Sequence, residues 1–170
     1  MEASSTAAVE SPADVAKRDF EALGRRDADG MAACYAEDAV VDFVPVGERH
    51  GPAEIGAFLG GLFKAVPDLE AEWDITTADD QVAVIQWTMR GTFTGEPFMG
   101  VEATGKPVEL RGVDVMKIAD GKIQHNTAYY DGMDFARQIG MMPAADTGAE
   151  KAMIGAFNAV TKLRGRLSGS

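Results

Sequence analysis

The chain has 170 residues, of which 46% are hydrophobic, so it is long and apolar enough for one globular domain with its own core. Its formal net charge of −11 argues against nucleic acid and anionic membranes as partners, because both require a basic surface. The single cysteine, Cys34, excludes an internal disulfide and fits a reducing compartment. The first twelve residues lack the features of a signal peptide and no apolar run could span a bilayer, so we expect a cytoplasmic protein.

The sequence indicates neither a metal site nor a cofactor site. His50 and His125 lie far apart, and neither stands in a motif with the spacing of metal ligands. The glycines are spread over turns and one helix and form no phosphate-binding loop. We therefore expect no cofactor and no metal ion.

The first part of the chain is predicted to be mainly helical. Residues 1–10 are expected to form a disordered tail. Ser11 and Pro12 then provide the N-cap and the first-turn proline of a helix. Asp29 is predicted to cap a second helix that includes Cys34.

Strands dominate after a third helix, which is expected from Gly51 onward. Before that helix, residues 39–44 predict a short strand, and residues 69–78 and 81–93 predict a hairpin. The alternating apolar residues of the hairpin's second strand share one face: Ala83, Ile85, Trp87 and Met89. Helices followed by mostly antiparallel strands predict an α+β fold. A strongly curved sheet that faces a few helices forms a cone, and the mouth of a cone admits a small molecule.

The segment from residue 108 to residue 141 is the most informative part of the sequence. It predicts two strands joined by a tight turn at Asp120 and Gly121, followed by a short helix from about Gly132. One face of the first strand consists of Leu110, Gly112, Asp114, Met116 and Ile118. A lone carboxylate within an apolar stripe is costly unless a ligand or a partner uses it. Asp114 is therefore the first candidate for a functional residue.

The neighbouring strands supply further candidates for a pocket. Alternation on the strand after the turn directs four residues inward: Gln124, Asn126, Ala128 and Tyr130. Asn126 or Tyr130 can polarise a carbonyl group there. Trp87, Met89 and Met116 are predicted wall residues, and His50 is a candidate pocket group at the mouth of the cone.

Residues 143–170 are predicted to form an extension beyond the domain of residues 11–142. From residue 144 onward this segment contains four basic and two acidic residues. Its apolar residues can form one stripe of a basic amphipathic helix: Met153, Ile154, Phe157 and Val160. Such a helix docks on its own domain, covers the mouth of the pocket, or binds a partner.

Four motifs resemble one family. Residues 35–42 (YAEDAVVD), 66–69 (VPDL), 112–123 (GVDVMKIADGKI) and the closing segment 129–140 are similar to the SnoaL-like polyketide cyclases. That family belongs to the nuclear transport factor 2-like superfamily, together with ketosteroid isomerase and limonene epoxide hydrolase. The resemblance covers about residues 11–142.

The resemblance implies a cone-shaped, cystatin-like α+β barrel with a largely apolar pocket, often in a homodimer packed sheet to sheet. Family cyclases use an aspartate on the last strand as acid and base, without metal or cofactor, and this position is Ala128 here. The base of ketosteroid isomerase matches Phe43, and its oxyanion tyrosine matches Asp19. Its second oxyanion donor, a protonated aspartate, matches Asp114.

Two functions remain open from the sequence. In the first, the protein is a cofactor-free isomerase or aldol-type cyclase for a small hydrophobic carbonyl compound, with Asp114 as acid, base or oxyanion donor. In the second, it is a non-catalytic ligand-binding or dimerisation module, and Asp114 pairs with Arg90, Arg111 or a buried amide. A cavity that places Asp114 near Asn126 or Tyr130 without a basic partner would favour the first.

Overall fold

The computed structural model describes residues 10–167, which contain five helices and six strands. In chain order these elements are α1 (Pro12–Gly24), α2 (Ala28–Ala32), β1 (Tyr35–Phe43), β2 (Gly47–His50), α3 (Gly51–Ala65), β3 (Glu70–Ala78), β4 (Val82–Thr92), β5 (Pro107–Ala119), β6 (Lys122–Tyr130), α4 (Gly132–Gln138) and α5 (Gly148–Leu167). The predicted N-terminal tail lies outside the described residues, apart from Glu10.

All six strands form one sheet, in the order β2-β1-β6-β5-β4-β3. Strands β1 and β6 run parallel, and the other neighbouring pairs are antiparallel. The predicted α+β fold with a curved, mixed sheet is confirmed, and the sheet stays open, with β2 and β3 at its edges. Helix α1 packs against β3, β4 and β5, and α3 packs against β1. The sheet and these helices therefore enclose the core between them.

Local sequence signals explain most of the helix boundaries. Ser11 caps α1 as predicted, since its Oγ accepts a hydrogen bond from the Asp14 N–H. The predicted cap of α2 is wrong, because Asp27 rather than Asp29 accepts the hydrogen bond from the Gly30 N–H. Helix α2 has only five residues and ends before Cys34, which is buried beside the start of β1.

The β5–β6 hairpin has the predicted tight turn. Asp120 and Gly121 both have positive φ, 53° and 70°, as a two-residue hairpin turn requires. A register shift next to this turn keeps Gln124 away from the core, and its amide instead donates hydrogen bonds to backbone carbonyls near the turn. Beyond the shift, Asp114 pairs with Ala128 and Met116 pairs with Asn126, so these side chains share the inner face.

A glycine on β5 makes room for a large side chain on β4. Gly112 is paired with Trp87, and a Cβ atom at Gly112 would lie 2.3 Å from Cζ2 of the indole and 2.6 Å from the carbonyl oxygen of Tyr129. Glycine is therefore required for the indole to occupy this position over the inner face of β5.

We expect the Gly112→Ala substitution to lower the free energy of unfolding by about 1–3 kcal/mol, because the added methyl group overpacks the site. Urea denaturation measures this loss. Gly24→Ala is the matched control, since Gly24 ends α1 with no atom within 4 Å of an added Cβ. The control should be neutral or gain up to about 1 kcal/mol. Equal stability of the two variants would contradict the proposed packing.

Candidate active site

A cavity of about 480 Å³ lies between the inner face of the sheet and helices α1 and α3. Its wall is mainly apolar and includes Phe43, Phe58, Leu62, Trp87, Met89 and Phe98. The buried polar side chains of the wall are contributed by α1, β1, β5 and β6: Asp19, Tyr35, Asp114 and Asn126. The cavity is therefore an apolar pocket with polar groups gathered at its buried end, as is typical of small-molecule sites.

Asp114 lies on the cavity wall and is held by two neutral donors. Trp87 Nε1 donates a hydrogen bond of 2.7 Å to its Oδ1, and Asn126 Nδ2 donates one of 2.6 Å to its Oδ2. Among the described residues, no basic side chain forms an ion pair with Asp114. Arg90 pairs instead with Glu72 and Glu109. Asn126 is the buried amide partner that the sequence analysis considered, and it also lies on the cavity wall.

The surroundings of Asp114 leave its carboxyl group able to change protonation near neutral pH. Burial raises its pKa to about 6, while the hydrogen bonds from Asn126 and Trp87 oppose this rise because they favour the charged form. Because both carboxyl oxygens of Asp114 accept hydrogen bonds, these contacts stabilise its ionised form.

A second buried carboxyl group, Asp19 of α1, also lines the cavity. Its side chain is only 1% exposed, and its Oδ1 has no hydrogen-bond partner among the described residues. Burial raises its pKa well above the usual value, the negative charge of Asp114 raises it further, and Arg18 acts in the opposite direction. These surroundings therefore favour the neutral acid form of Asp19 over its carboxylate.

The family resemblance matched Asp19 to the position of an oxyanion tyrosine, but the sequence analysis did not include Asp19 among the candidate site residues, although the signal was present. Asp19 lies four residues from both Val15 and Leu23, so it sits on the apolar face of α1. A lone carboxylate on an apolar helix face is as costly as Asp114 on the apolar face of β5, so the same reasoning would have made Asp19 a candidate.

Tyr35 of β1 completes the polar cluster. Asn126 Nδ2 lies 3.5 Å from the Tyr35 hydroxyl, and the same amide group contacts Asp114. Burial raises the pKa of Tyr35, and the charges of Asp19 and Asp114 raise it further, so its hydroxyl keeps its proton. The cluster therefore combines a carboxyl group that ionises readily with neutral hydroxyl groups.

Most of the residues predicted for the pocket lie on its wall, but His50, Met116 and Gln124 do not. Those on the wall are Asp114, Asn126, Tyr130, Trp87, Met89 and Phe43. His50 is exposed and pairs with Glu48 at 3.2 Å, because the unpredicted hairpin of β1 and β2 directs it away from the pocket. Met116 is fully buried in the core behind the cavity wall and does not line the cavity.

The two neighbouring tyrosines lie on opposite faces of β6. Tyr130 lines the cavity, whereas Tyr129 is 53% exposed on the other face of β6. His125 likewise points away from the cavity, and one of its ring nitrogens lies 3.2 Å from the Thr127 hydroxyl. Ala128 and Phe43, at the positions of the bases used by relatives, both line the cavity without offering a titratable group.

Comparison with solved structures defines the class of protein. A protein from Jannaschia sp. CCS1 is provisionally assigned as a SnoaL-like polyketide cyclase. It is 21% identical to this chain over 78% of this chain and 93% of its own length, with a TM-score of 0.69. AclR from Streptomyces galilaeus, provisionally assigned as a hydroxylase, is 22% identical over 88% and 94%, with a TM-score of 0.67. An NTF2-like protein from Burkholderia pseudomallei is 20% identical over 76% and 97%, with a TM-score of 0.63. The chain has the nuclear transport factor 2-like fold.

Within this class the family is also clear. The sequence profile of the SnoaL-like domain matches residues 16–126, which form most of the sheet and the helices packed on it. The protein therefore belongs to the SnoaL-like domain family. Among curated proteins, no match was found.

Two further findings concern residues 10–167. No helix in this range is long and apolar enough to cross a membrane. In the same range, no group of three or more His, Cys, Asp or Glu side chains is placed to hold a metal ion. The cytoplasmic location and the cofactor-free chemistry stay predictions.

We expect the Asp19→Asn variant to lose less stability than the parent protein as the pH rises. Asp19 has a raised pKa in the folded state, so folding favours the protonated form and the stability falls as the pH rises above about 4, the unfolded value. The nearly isosteric asparagine does not ionise. Urea unfolding of both proteins at several pH values measures the difference between them. That difference should move in favour of the variant with rising pH, and a constant difference would contradict the raised pKa.

Proposed function

We propose that the protein is a cofactor-free isomerase or aldol-type cyclase that acts on a small hydrophobic carbonyl compound, with Asp114 as its base. One observation carries this proposal. The buried Asp114 carboxylate lines an apolar cavity, both its oxygens accept hydrogen bonds from neutral groups, and no basic residue among those described neutralises it. A carboxylate that served only the fold would not need to line a cavity of this size.

The cavity indicates the class of substrate. Its apolar wall suits a carbon skeleton without charge, and its volume of about 480 Å³ falls within the usual range for small-molecule sites. The polar cluster at the buried end suits an oxygen substituent. A ligand that enters with a carbonyl group first would bring that oxygen to the cluster and the adjacent carbon to Asp114.

The proposed chemistry is proton transfer at that adjacent carbon. The Asp114 carboxylate removes a proton from the carbon next to the carbonyl group, and the electrons of the broken C–H bond move to the carbonyl oxygen. A neutral donor, the Asp19 carboxyl or the Tyr35 hydroxyl, stabilises the resulting enolate oxygen by a hydrogen bond. In a β,γ-unsaturated ketone, return of the proton from Asp114 to the γ-carbon moves the double bond and gives isomerisation. In a compound with a second carbonyl group, attack of the enolate carbon on that group gives a ring and an alkoxide, which takes the proton back from Asp114. A base with a pKa of about 6 suits such a step near neutral pH.

The position of Asp114 compensates for a missing family residue. Asp114 is paired with Ala128 across β5 and β6, so the two side chains are close neighbours on the same face. The aspartate that family cyclases carry at the position of Ala128 is thus replaced by one on the adjacent strand.

Asp114→Asn should lower kcat/KM for enolisation by about 10²–10⁴-fold, because the variant lacks the base while the cavity keeps its shape. The measurement is exchange of the α-hydrogens of 2-decalone, or of a steroid 3-ketone, with deuterium oxide, followed by NMR. His50→Gln is the control, since His50 lies outside the cavity, and it should keep the parent rate. Equal exchange in the Asp114→Asn variant and the parent would place the base elsewhere.

A second candidate is a non-catalytic ligand-binding module, and the loss of titratable groups at Ala128 and Phe43 favours it. The same experiment separates the two functions. If the parent protein binds the ketone, measured by quenching of Trp87 fluorescence, but does not speed up the exchange, the binding module is correct and the enzyme proposal fails.

Trp87→Phe should shift the acidic limb of the pH profile of kcat/KM upward from about 6. The substitution keeps an aromatic ring but removes the N–H group that stabilises the Asp114 carboxylate. A hydrogen bond to a charged group contributes about 1.5–3 kcal/mol, which corresponds to a shift of roughly one to two pH units. Rates measured between about pH 4 and 9 test this, and an unchanged limb would show that the bond does not tune the base.

A further inference from the structure

Helix α5 exposes an apolar stripe. The side chains of residues 151–166 are all exposed, and Phe157 is exposed by 69%. The start of the helix is attached to the domain by an ion pair of 2.7 Å between Arg137 and Glu150. In this structure the stripe does not dock on its own domain, and no residue of α5 lines the cavity.

An exposed helix of this kind requires a partner for stability. Helix α5 has 20 residues and includes Gly155 and Gly165 in its interior, and glycine disfavours a helix in water by about 1 kcal/mol relative to alanine. In proteins, packing of an apolar face supplies most of the stability of a helix. The exposed Met153, Val160 and Leu163 offer such a face.

The stripe has the spacing of a seam between two helices. Ala149, Met153, Ala156, Val160 and Leu163 follow one another at alternating intervals of four and three residues. This is the spacing of core positions in a coiled coil, where large side chains fit between those of the facing helix. The alternating alanines allow a close approach of the second helix. Helix α5 carries a net positive charge, which also suits an anionic membrane, but a narrow seam with this spacing favours a second helix as the partner.

We propose that this seam binds the same seam of a second copy of the chain, as an antiparallel helix pair. Like seams are complementary under a two-fold axis, so a single helix sequence can supply both sides of the interface. The pairing differs from the sheet-to-sheet dimer that the family resemblance implies, and it does not depend on the proposed function.

The charges of α5 determine the orientation. Three basic residues lie near its end, Lys162, Arg164 and Arg166. Near its start, Asp146 and Glu150 outweigh Lys151, so that this end is net negative. A parallel pair would bring the basic ends of both helices together. An antiparallel pair brings each basic end to the acidic start of the other helix and aligns the helix dipoles favourably.

An antiparallel register also fits the apolar side chains. When the pair is centred at Asn158, Met153 faces Leu163 of the second copy and Ala156 faces Val160 of the second copy. Large residues then meet towards the two ends, and a small residue meets a branched one between them. The two domains lie at opposite ends of a helix pair roughly 30 Å long, so they do not collide.

Charge introduced into the seam should abolish the dimer. In sedimentation velocity at micromolar concentrations, the full-length parent should have twice the mass of the Val160→Glu, Leu163→Glu double variant, whether or not a sheet-to-sheet contact is also present. Asn158→Glu with Thr161→Glu is the control, because it adds the same charge on the outer side of α5 and should keep the mass of the parent. A monomeric parent, a monomer that binds vesicles of anionic phospholipid, or a seam variant with the mass of the parent would each overturn the proposal.

Cysteine cross-linking tests the orientation. Met153→Cys and Leu163→Cys should each fail to form a disulfide-linked dimer alone, but a mixture of the two proteins should form one. The native Cys34 does not interfere, because burial holds its thiol protonated with a pKa of about 11. Cross-linking of each variant with itself would show a parallel pair and overturn the antiparallel arrangement.

Discussion

The hydrogen bonds from Trp87 and Asn126 to the Asp114 carboxylate are the interactions on which the site depends. They make it possible to keep a charge inside an apolar cavity, where its burial would otherwise favour the neutral acid. Each bond in turn requires a feature of the fold. The indole needs the space left by Gly112, and the amide needs the register of the β5–β6 hairpin. The chemistry of the pocket is thus built into the pairing of three adjacent strands.

Two carboxyl groups in one pocket favour different protonation states because their surroundings differ. Asp114 accepts hydrogen bonds at both oxygens, whereas Asp19 has an oxygen without a donor among the described residues and is near the negative charge of Asp114. A reaction that uses both a base and an acid requires such a separation of pKa values, and this supports the roles proposed above. Tyr35 adds a neutral hydroxyl group to the cluster. The difference between the two carboxyl groups follows from their surroundings, since both residues have the same side chain.

Local patterns predicted the parts of the site that depend on one hairpin. The two-residue period and the turn chemistry were enough to place Asp114 and Asn126 on one face. Contacts between distant segments could not be read in the same way. The position of Asp19 depends on how α1 crosses the sheet, although its place on an apolar helix face was visible. The prediction for His50 was wrong because β2 is short and its hairpin turns the chain outward. Met116 lies on the predicted face of β5, but its position along the strand places it in the core and not on the cavity wall.

The parallel pairing of β1 with β6 affects how the protein folds during its synthesis. Val41 on the first strand is paired with Asn126 on the last, so most of the domain separates the two partners in the chain. During synthesis on the ribosome, the edge of β1 that pairs with β6 therefore stays unpaired until nearly the whole domain has emerged. Its hairpin with β2 covers the other edge in the meantime. The pocket cannot form before β6 has been synthesised, because β6 carries the amide donor Asn126 and connects β1 to β5 in the sheet.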